Sequence, residues 1–472
     1  MHMLLLALLT AALGSQLIPL GEPGTLNPVD VKSGSPGATP QISLARYGSD
    51  LAAAFSGARG QNTGIYWRRF SNDTQDWSET VQVSAETSRS AFHPFLTIDK
   101  KGNSHCIWLS RSKRGVYQVY YARLSKGDGQ QWSEPHLLSV GGRANPPRLL
   151  EDASGNLLVY YWNLRAEAPN GRVYAFASAD AGLTWRATDP NFSAQENPGA
   201  ARAVQGVRLP GGGVGLVWTD DTPGGLSLVF NRTQDGGKSW LARPVVVPGT
   251  TGKPIERPQI LVAGQTLHVG WTIGSARPGS GSQVEAWTSH SQDEGLSWSD
   301  ARRVYQTAQG QIDLKLIQAG ENVGWIGREK QPSRTQPPGP PGGRLIEVLY
   351  FKANHPLSEP VVKEIYASAD HELSDLQVVP SAQRILVLVS ETHPFQPSRI
   401  LSFIREEGDF HKGPTIQASV PANEVRSPLA DFDPQEKVFT ILFHKMKWTA
   451  MFPPQSTPAT LLWQRYRAAS VK

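Results

Sequence analysis

Apolar residues in this chain come in runs of four to eight, bounded by Gly, Pro, Asn and Asp, which is the signature of short strands joined by tight turns. The runs recur in a fixed order. A Pro or polar residue opens a short strand, as in PQISL from Pro40, PFLTI from Pro94, PRLLE from Pro147 and PQILV from Pro258. A turn with Gly or Asp follows, then a strongly apolar strand: DLAAAF, SHCIWL, NLLVYYW, GVGLVW, TLHVGW. After a loop of variable length comes an alternating strand such as GIYWRRF, QVYYARL or LSLVFNR. A Trp-bearing turn and a short fourth strand, TVQVS or PVVVP, close the unit.

Trp77, Trp132, Trp185, Trp240 and Trp298 mark five such units, roughly 55 residues apart. Three more continue the pattern without the Trp, and the last stops after three strands. The segment SQLIPLG from Ser15 has the pattern of an outer strand and supplies the missing fourth. The expected fold is therefore all-β, a single β-propeller of four-stranded antiparallel blades, with its ring closed by the N-terminal strand so that no sheet edge stays open. Eight blades are expected, and seven if the degenerate last unit is not a blade.

Three of the turns share one motif. SADAGLTW starts at Ser178, TQDGGKSW at Thr233 and SQDEGLSW at Ser291, each satisfying [ST]-x-D-x-G-x-[ST]-W. In such a hairpin Asp accepts backbone N–H groups of its own turn, Gly supplies a positive φ, and Trp buries its ring between neighbouring sheets. Asp180, Gly182 and Trp185, Asp235, Gly237 and Trp240, and Asp293, Gly295 and Trp298 are thus read as turn-builders, not as metal ligands or catalytic acids.

These turns resemble the Asp boxes of the sialidase-like superfamily, the BNR-repeat propellers. The resemblance covers nearly the whole chain after residue 14. It implies a glycoside hydrolase as the enzyme class, and a ligand site at the end of the propeller opposite the boxes. Family sialidases hold a substrate carboxylate with three arginines, use a Tyr–Glu pair as nucleophile and an Asp as acid/base. Here the Arg-Ile-Pro motif of catalytic members is absent, the position reading ATPQI, and no Tyr–Glu pair stands out along the chain.

Arg202, Arg257 and Arg426 fall at the starts of inner strands, where a planar guanidinium fork suits an anion. His93 and Trp218 join them as ligand-binding candidates, with Trp162 a second stacking face. Glu256, Asp313 and Asp375 are the candidate catalytic acids, and Asp220 and Asp221 follow GLVWT at the same end. The function expected is binding, with or without hydrolysis, of a glycan or other anionic ligand at this mouth. The alternative is a non-catalytic scaffold for a protein partner.

Composition narrows the picture. A formal charge of +5 spread over 472 residues, without a basic run, argues against nucleic acid. The single Cys106 excludes an intrachain disulfide and lies in the apolar run HCIWL. No spacing suggests a metal or another cofactor. Residues 1–14, with LLLALLTAALG, read as a signal peptide cut before Ser15, too short to span a bilayer. That places the propeller, 15–472, in a secreted or periplasmic setting, not as an integral membrane protein.

Overall fold

A computed structural model describes residues 17–27, 41–59, 62–85, 90–112, 115–139, 142–165, 168–188, 202–274, 283–307, 312–331, 342–381, 384–393, 396–405, 408–418, 423–451, 454–456 and 460–468. The expected signal peptide, residues 1–14, lies outside these. All regular elements among the described residues are strands, arranged in eight antiparallel sheets, the blades of a β-propeller. In blade 4, Arg202–Arg208, Val214–Thr222, Gly225–Thr233 and Val245–Val246 pair in sequence order. Blade 8 takes Asn423–Asp433, Val438–Met451 and Thr460–Ala468, and its fourth strand is Leu17–Pro19 from the N-terminus, with Leu17 opposite Ala468. The degenerate last unit is therefore a blade, and the N-terminal segment completes it.

The chain parts into two compact units: residues 41–311 carry blades 1–5, and residues 1–40 with 312–472 carry blades 6–8. Within each unit the core lies between consecutive blades. Trp67 and Trp108 share the core between blades 1 and 2, Tyr121 and Tyr161 that between 2 and 3, Val173 and Trp218 that between 3 and 4, and Phe230 and Trp271 that between 4 and 5. In the other unit Ile326 and Phe403 join blades 6 and 7, and Leu388 and Phe443 join 7 and 8. The second strand of a blade is covered on both faces, which is why it reads as a continuous apolar run; Val214–Asp220 is buried throughout. Each large side chain so enclosed contributes about 1.5–3 kcal/mol. Cys106 is buried in this packing, and burial pushes its thiol pKa up, so it is an inert core residue.

The three motif turns are built alike. In the first, Thr184 N–H donates to Asp180 Oδ1 at 2.9 Å and Thr184 Oγ1–H to Oδ2 at 2.6 Å, while Ser178 Oγ accepts the Gly182 N–H at 2.8 Å. Asp235 and Asp293 hold Ser239 and Ser297 in the same way, and Thr233 and Ser291 accept from Gly237 and Gly295. Burial works to raise the pKa of Asp180 and Asp235, but the hydrogen bonds outweigh it and hold both at about 2. Trp185 then meets Tyr121 of the preceding blade edge-on at 4.8 Å, and Trp298 meets Phe230 at 5.4 Å. Blade 7 lacks the motif. There Phe410 packs against the core of blades 6 and 7, and Arg405 forms a buried ion pair with Glu347 of blade 6.

Register fixes which end of a blade is which. Thr233, opening the motif turn, lies opposite Val214, whereas Arg202 lies opposite Thr219 and Gly225 opposite Thr222. The Trp turns therefore close one end, and inner-strand starts with second-to-third turns form the other, the mouth end.

Gly182 has φ +83°, and a Cβ there would lie 1.7 Å from the Tyr121 hydroxyl. Gly182→Ala is expected to cost about 2–5 kcal/mol in urea unfolding, adding overpacking to left-handed strain. Gly127→Ala, at φ +99° in open space, should cost only about 1–2 kcal/mol. The depressed Asp carboxyls stabilise the fold above their ordinary pKa of about 4, and that contribution is lost as pH falls towards about 2. Asp235→Asn should flatten part of this acid limb in unfolding measured against pH.

Candidate functional site

Inner strands at the mouth end share a local distortion. In blades 2, 4, 5, 7 and 8 the pairing of first and second strands slips at Phe92/Phe95, Arg202/Gln205, Glu256/Gln259, Ser374/Gln377 and Arg426/Leu429. One non-glycine residue in each bulge has a left-handed backbone: His93 (φ 53°), Ala203 (54°), Arg257 (51°), Asp375 (51°) and Ser427 (53°). A bulge bends its strand and re-aims its side chains. Most of the candidates chosen from sequence sit here: Arg202, Glu256 and Arg426 one residue before the left-handed position, His93, Arg257 and Asp375 on it.

Two of these bulges are capped by the preceding blade. Gln41 of blade 1 accepts the His93 N–H through its amide oxygen, and its amide nitrogen lies 3.1 Å from His93 Nε2. Asp375 of blade 7 accepts the Ser427 N–H of blade 8 at 3.1 Å. Asp375, expected as a catalytic acid, therefore holds the neighbouring bulge. Asp313 of blade 6 lies 3.6 Å from Arg328, whose guanidinium donates to Leu373 O at 2.7 Å. Its place is an ion pair on a regular strand pair. Glu256 and Arg257 are exposed at the mouth end of blade 5. Arg426 lies opposite His444 in blade 8. The two groups fall in separate units: Arg202, Arg257, Glu256, His93 and Trp218 in blades 1–5, Asp313, Asp375 and Arg426 in blades 6–8. Trp218 corrects an expectation. It is fully buried in the core of blades 3 and 4 and offers no stacking face, whereas Trp162 at the mouth end is half-buried.

Sequence reading missed two features. The first is in blades 1–5, where arginine dominates the mouth end: Arg59, Arg111, Arg143 and Arg257 are exposed and Arg172 half-buried, with Arg202 on the neighbouring inner strand. Against them stand Asp220, Asp221, Glu256 and Glu285, the last paired with Arg303 at 2.7 Å. Asp220 is buried; desolvation raises its pKa to about 6 against a hydrogen bond from Trp218, with Asp221 adding to the rise and Arg172 opposing it. His93 is pushed the other way, its pKa lowered by burial and by nearby Arg148.

The second is in blades 6–8. Glu391, fully buried, accepts the Tyr366 hydroxyl at 2.6 Å and the Arg399 guanidinium. Burial would raise Glu391, but Arg399 and Tyr366 hold it below its ordinary value. Burial and Glu391 together push Tyr366 up to about 12. His371, bonded to Asp370 at 2.7 Å, lies with its ring 5.0 Å from that of His393. No metal-binding group of three or more His, Cys, Asp or Glu side chains occurs among the described residues.

No family model and no curated protein matches the sequence. Solved structures do. The ulvan lyase of polysaccharide lyase family PL25, bound to -[GlcA(1-4)Rha3S]-, has 11% identity and a TM-score of 0.50 over 77% of this chain and 93% of that chain. Polysaccharide lyase Uly1 has 11% identity and a TM-score of 0.50 over 74% and 86%. The shared feature is the fold. It is a β-propeller. At this identity the likeness carries the architecture of the blades and leaves the ligand to the mouth-end residues themselves.

Replacing Arg399 by Met would leave the Glu391 carboxylate buried with Tyr366 alone. A loss of about 2–3 kcal/mol is expected in urea unfolding, and Glu391→Gln in the same chain should restore part of it.

Proposed function

We propose that this chain is an extracytoplasmic, sialidase-like Asp-box propeller that captures an acidic glycan at the mouth end of blades 1–5. The observation that carries the reading is the concentration of arginines there. Five guanidiniums, those of Arg59, Arg111, Arg143, Arg172 and Arg257, outnumber the acids beside them, and Arg202 starts the inner strand of blade 4. Arginine is suited to carboxylate and sulfate because its planar fork makes two parallel charge-assisted bonds. The Ser/Thr-Asp-Gly-Trp turns support the Asp-box assignment, since their carboxyls are consumed by their own hairpins and face away from the arginines. The ulvan lyase of similar fold is bound to GlcA(1-4)Rha3S, a saccharide of the proposed class. The apolar run ahead of Ser15 supports export.

Hydrolysis is the further step this reading leaves to test. Two carboxyls must flank a glycosidic bond for it, and in blades 1–5 Asp220, Asp221, Glu256 and Glu285 are the mouth-end acids from which such a pair would be drawn.

Binding to an array of acidic and neutral glycans tests the proposal. Acidic oligosaccharides should bind and neutral ones should not, with affinity falling as salt rises. Arg257→Ala should weaken binding about tenfold or more, the loss of one charge-assisted contact. Equal binding of neutral and acidic glycans would overturn the acidic class, and no binding together with capture of a defined protein partner would replace the proposal with the scaffold reading.

A further inference from the structure

Blades 2 and 3 carry arginines at the mouth with no charge of opposite sign on the long strands around them. The three long strands of blade 2, Ala91–Ile98, Ser104–Arg111 and Tyr117–Leu124, hold no Asp or Glu, and neither do the two of blade 3, Leu157–Arg165 and Ala168–Ser178. Glu151, on the inner strand of blade 3, stands opposite Leu157 and therefore at the Trp end. Blades 4 and 5 instead bring Asp220, Asp221, Glu256 and Glu285 to their mouth end. Register shows where two of the arginines point, because side chains alternate along a strand and directly opposite residues share a face. Leu109, Val119 and Tyr121 lie in the core between blades 2 and 3, so Arg111, two residues beyond Leu109 and opposite Tyr117, faces the same gap. Tyr161 and Tyr174 enter that core from blade 3, so Arg172, two residues before Tyr174 and opposite Asn163, faces the gap from the other wall. Among the described residues neither guanidinium has a carboxylate within 4 Å. Arg111 is exposed and Arg172 half-buried. Half-buried rings lie beneath them: Tyr117 meets Phe92 edge-on at 5.4 Å, and Phe92 and Tyr174 pack on the same core from the two blades.

We propose that the mouth end of the gap between blades 2 and 3 is the subsite that selects an acidic sugar, with Arg111 and Arg172 clamping one carboxylate or sulfate from opposite walls while the Tyr117 and Phe92 rings carry the apolar face of the sugar. Packed sheets stand about 10 Å apart, so two guanidiniums turned into one gap repel each other and share an anion that enters between them. Each fork offers that anion two parallel charge-assisted bonds. A neutral sugar leaves the repulsion in place. Selection is thus built into this one gap, and it is sharper than the general excess of positive charge at the mouth. Tyr117 contributes its ring and not its hydroxyl.

This subsite rests on the acidic-glycan reading, and its probe is an oligosaccharide carrying one glucuronate, titrated by calorimetry at low and high salt. Arg111→Gln and Arg172→Gln keep the side-chain stem and remove the charge, so thermal melting should stay as in the unaltered protein. Each should weaken binding about tenfold or more and flatten its salt dependence. The double variant should lose less than the product of the two, because both side chains hold one anion. Tyr117→Ala should weaken binding about threefold or more with the salt dependence kept, and Tyr117→Phe should bind normally. Unaltered affinity in either arginine variant, or losses that multiply in full, overturns the clamp; a loss in Arg257→Ala alongside that result leaves the arginine mouth standing. Failure of the unaltered protein to bind the probe also overturns the subsite, and silence towards every acidic glycan overturns the acidic-glycan reading with it.

Discussion

The structure depends on the fact that a blade's second strand is apolar on both faces and must be pressed between its neighbours to leave water. Val214–Asp220, Ser104–Ser110 and Ile385–Glu391 are all buried in this way. A lone four-stranded sheet would expose both such faces, so each blade is stable only with its neighbours. The side chains that fill the gaps follow from this. Large aromatics sit in the inter-blade clusters, and Trp185 and Trp298 lie against aromatic rings of the preceding blade. Where the Trp is missing, as in blade 7, Phe410 and the Arg405–Glu347 pair take the same place. The chemistry differs and the geometric duty is the same. The N-terminal strand of blade 8 answers the related problem of an exposed edge.

The two ends of a blade are finished in opposite ways. At the Trp end the polar groups satisfy each other locally, and the left-handed conformations fall on glycines and, within the same turns, on Gln75, Ala181 and Glu294. At the mouth end non-glycine residues take them, at about 1–3 kcal/mol each. Packing can hold such strain, but packing alone gives no reason for its recurrence in five blades. Bulges that turn His93, Arg257 and Asp375 out of the ladder give a reason in the placement of side chains.

The architecture was legible in the sequence because its signals are local and repeated: a period, an alternation, a motif within eight residues. The ends of the inner strands were legible as places, since Pro94, Pro258 and Pro428 mark three of the bulges directly. Roles at those places were less so, because a role depends on what the next blade supplies. Asp375 is explained by Ser427 and His93 by Gln41, each 52 residues away. Tyr366 and Glu391, 25 residues apart, meet only because one ends blade 6 and the other lies in blade 7. Trp162 and Trp218 look equivalent in the repeat, yet one is half-buried and the other enclosed. Depth of that kind has no signature in a single sequence.

Partner supply also separates the two mouth clusters by purpose. In blades 6–8 the polar groups are matched from within: Tyr366 and Arg399 both serve Glu391, Arg344 serves Glu329, and His371 is bonded to Asp370. Such a network rigidifies, because every charge already has its counterpart and a ligand would have to displace one. In blades 1–5 the guanidiniums gather where carboxylates are fewer. A surface with surplus cations gains most from an anion that arrives from solution. The proposed ligand end therefore lies where the charges do not balance, and the matched cluster where they do.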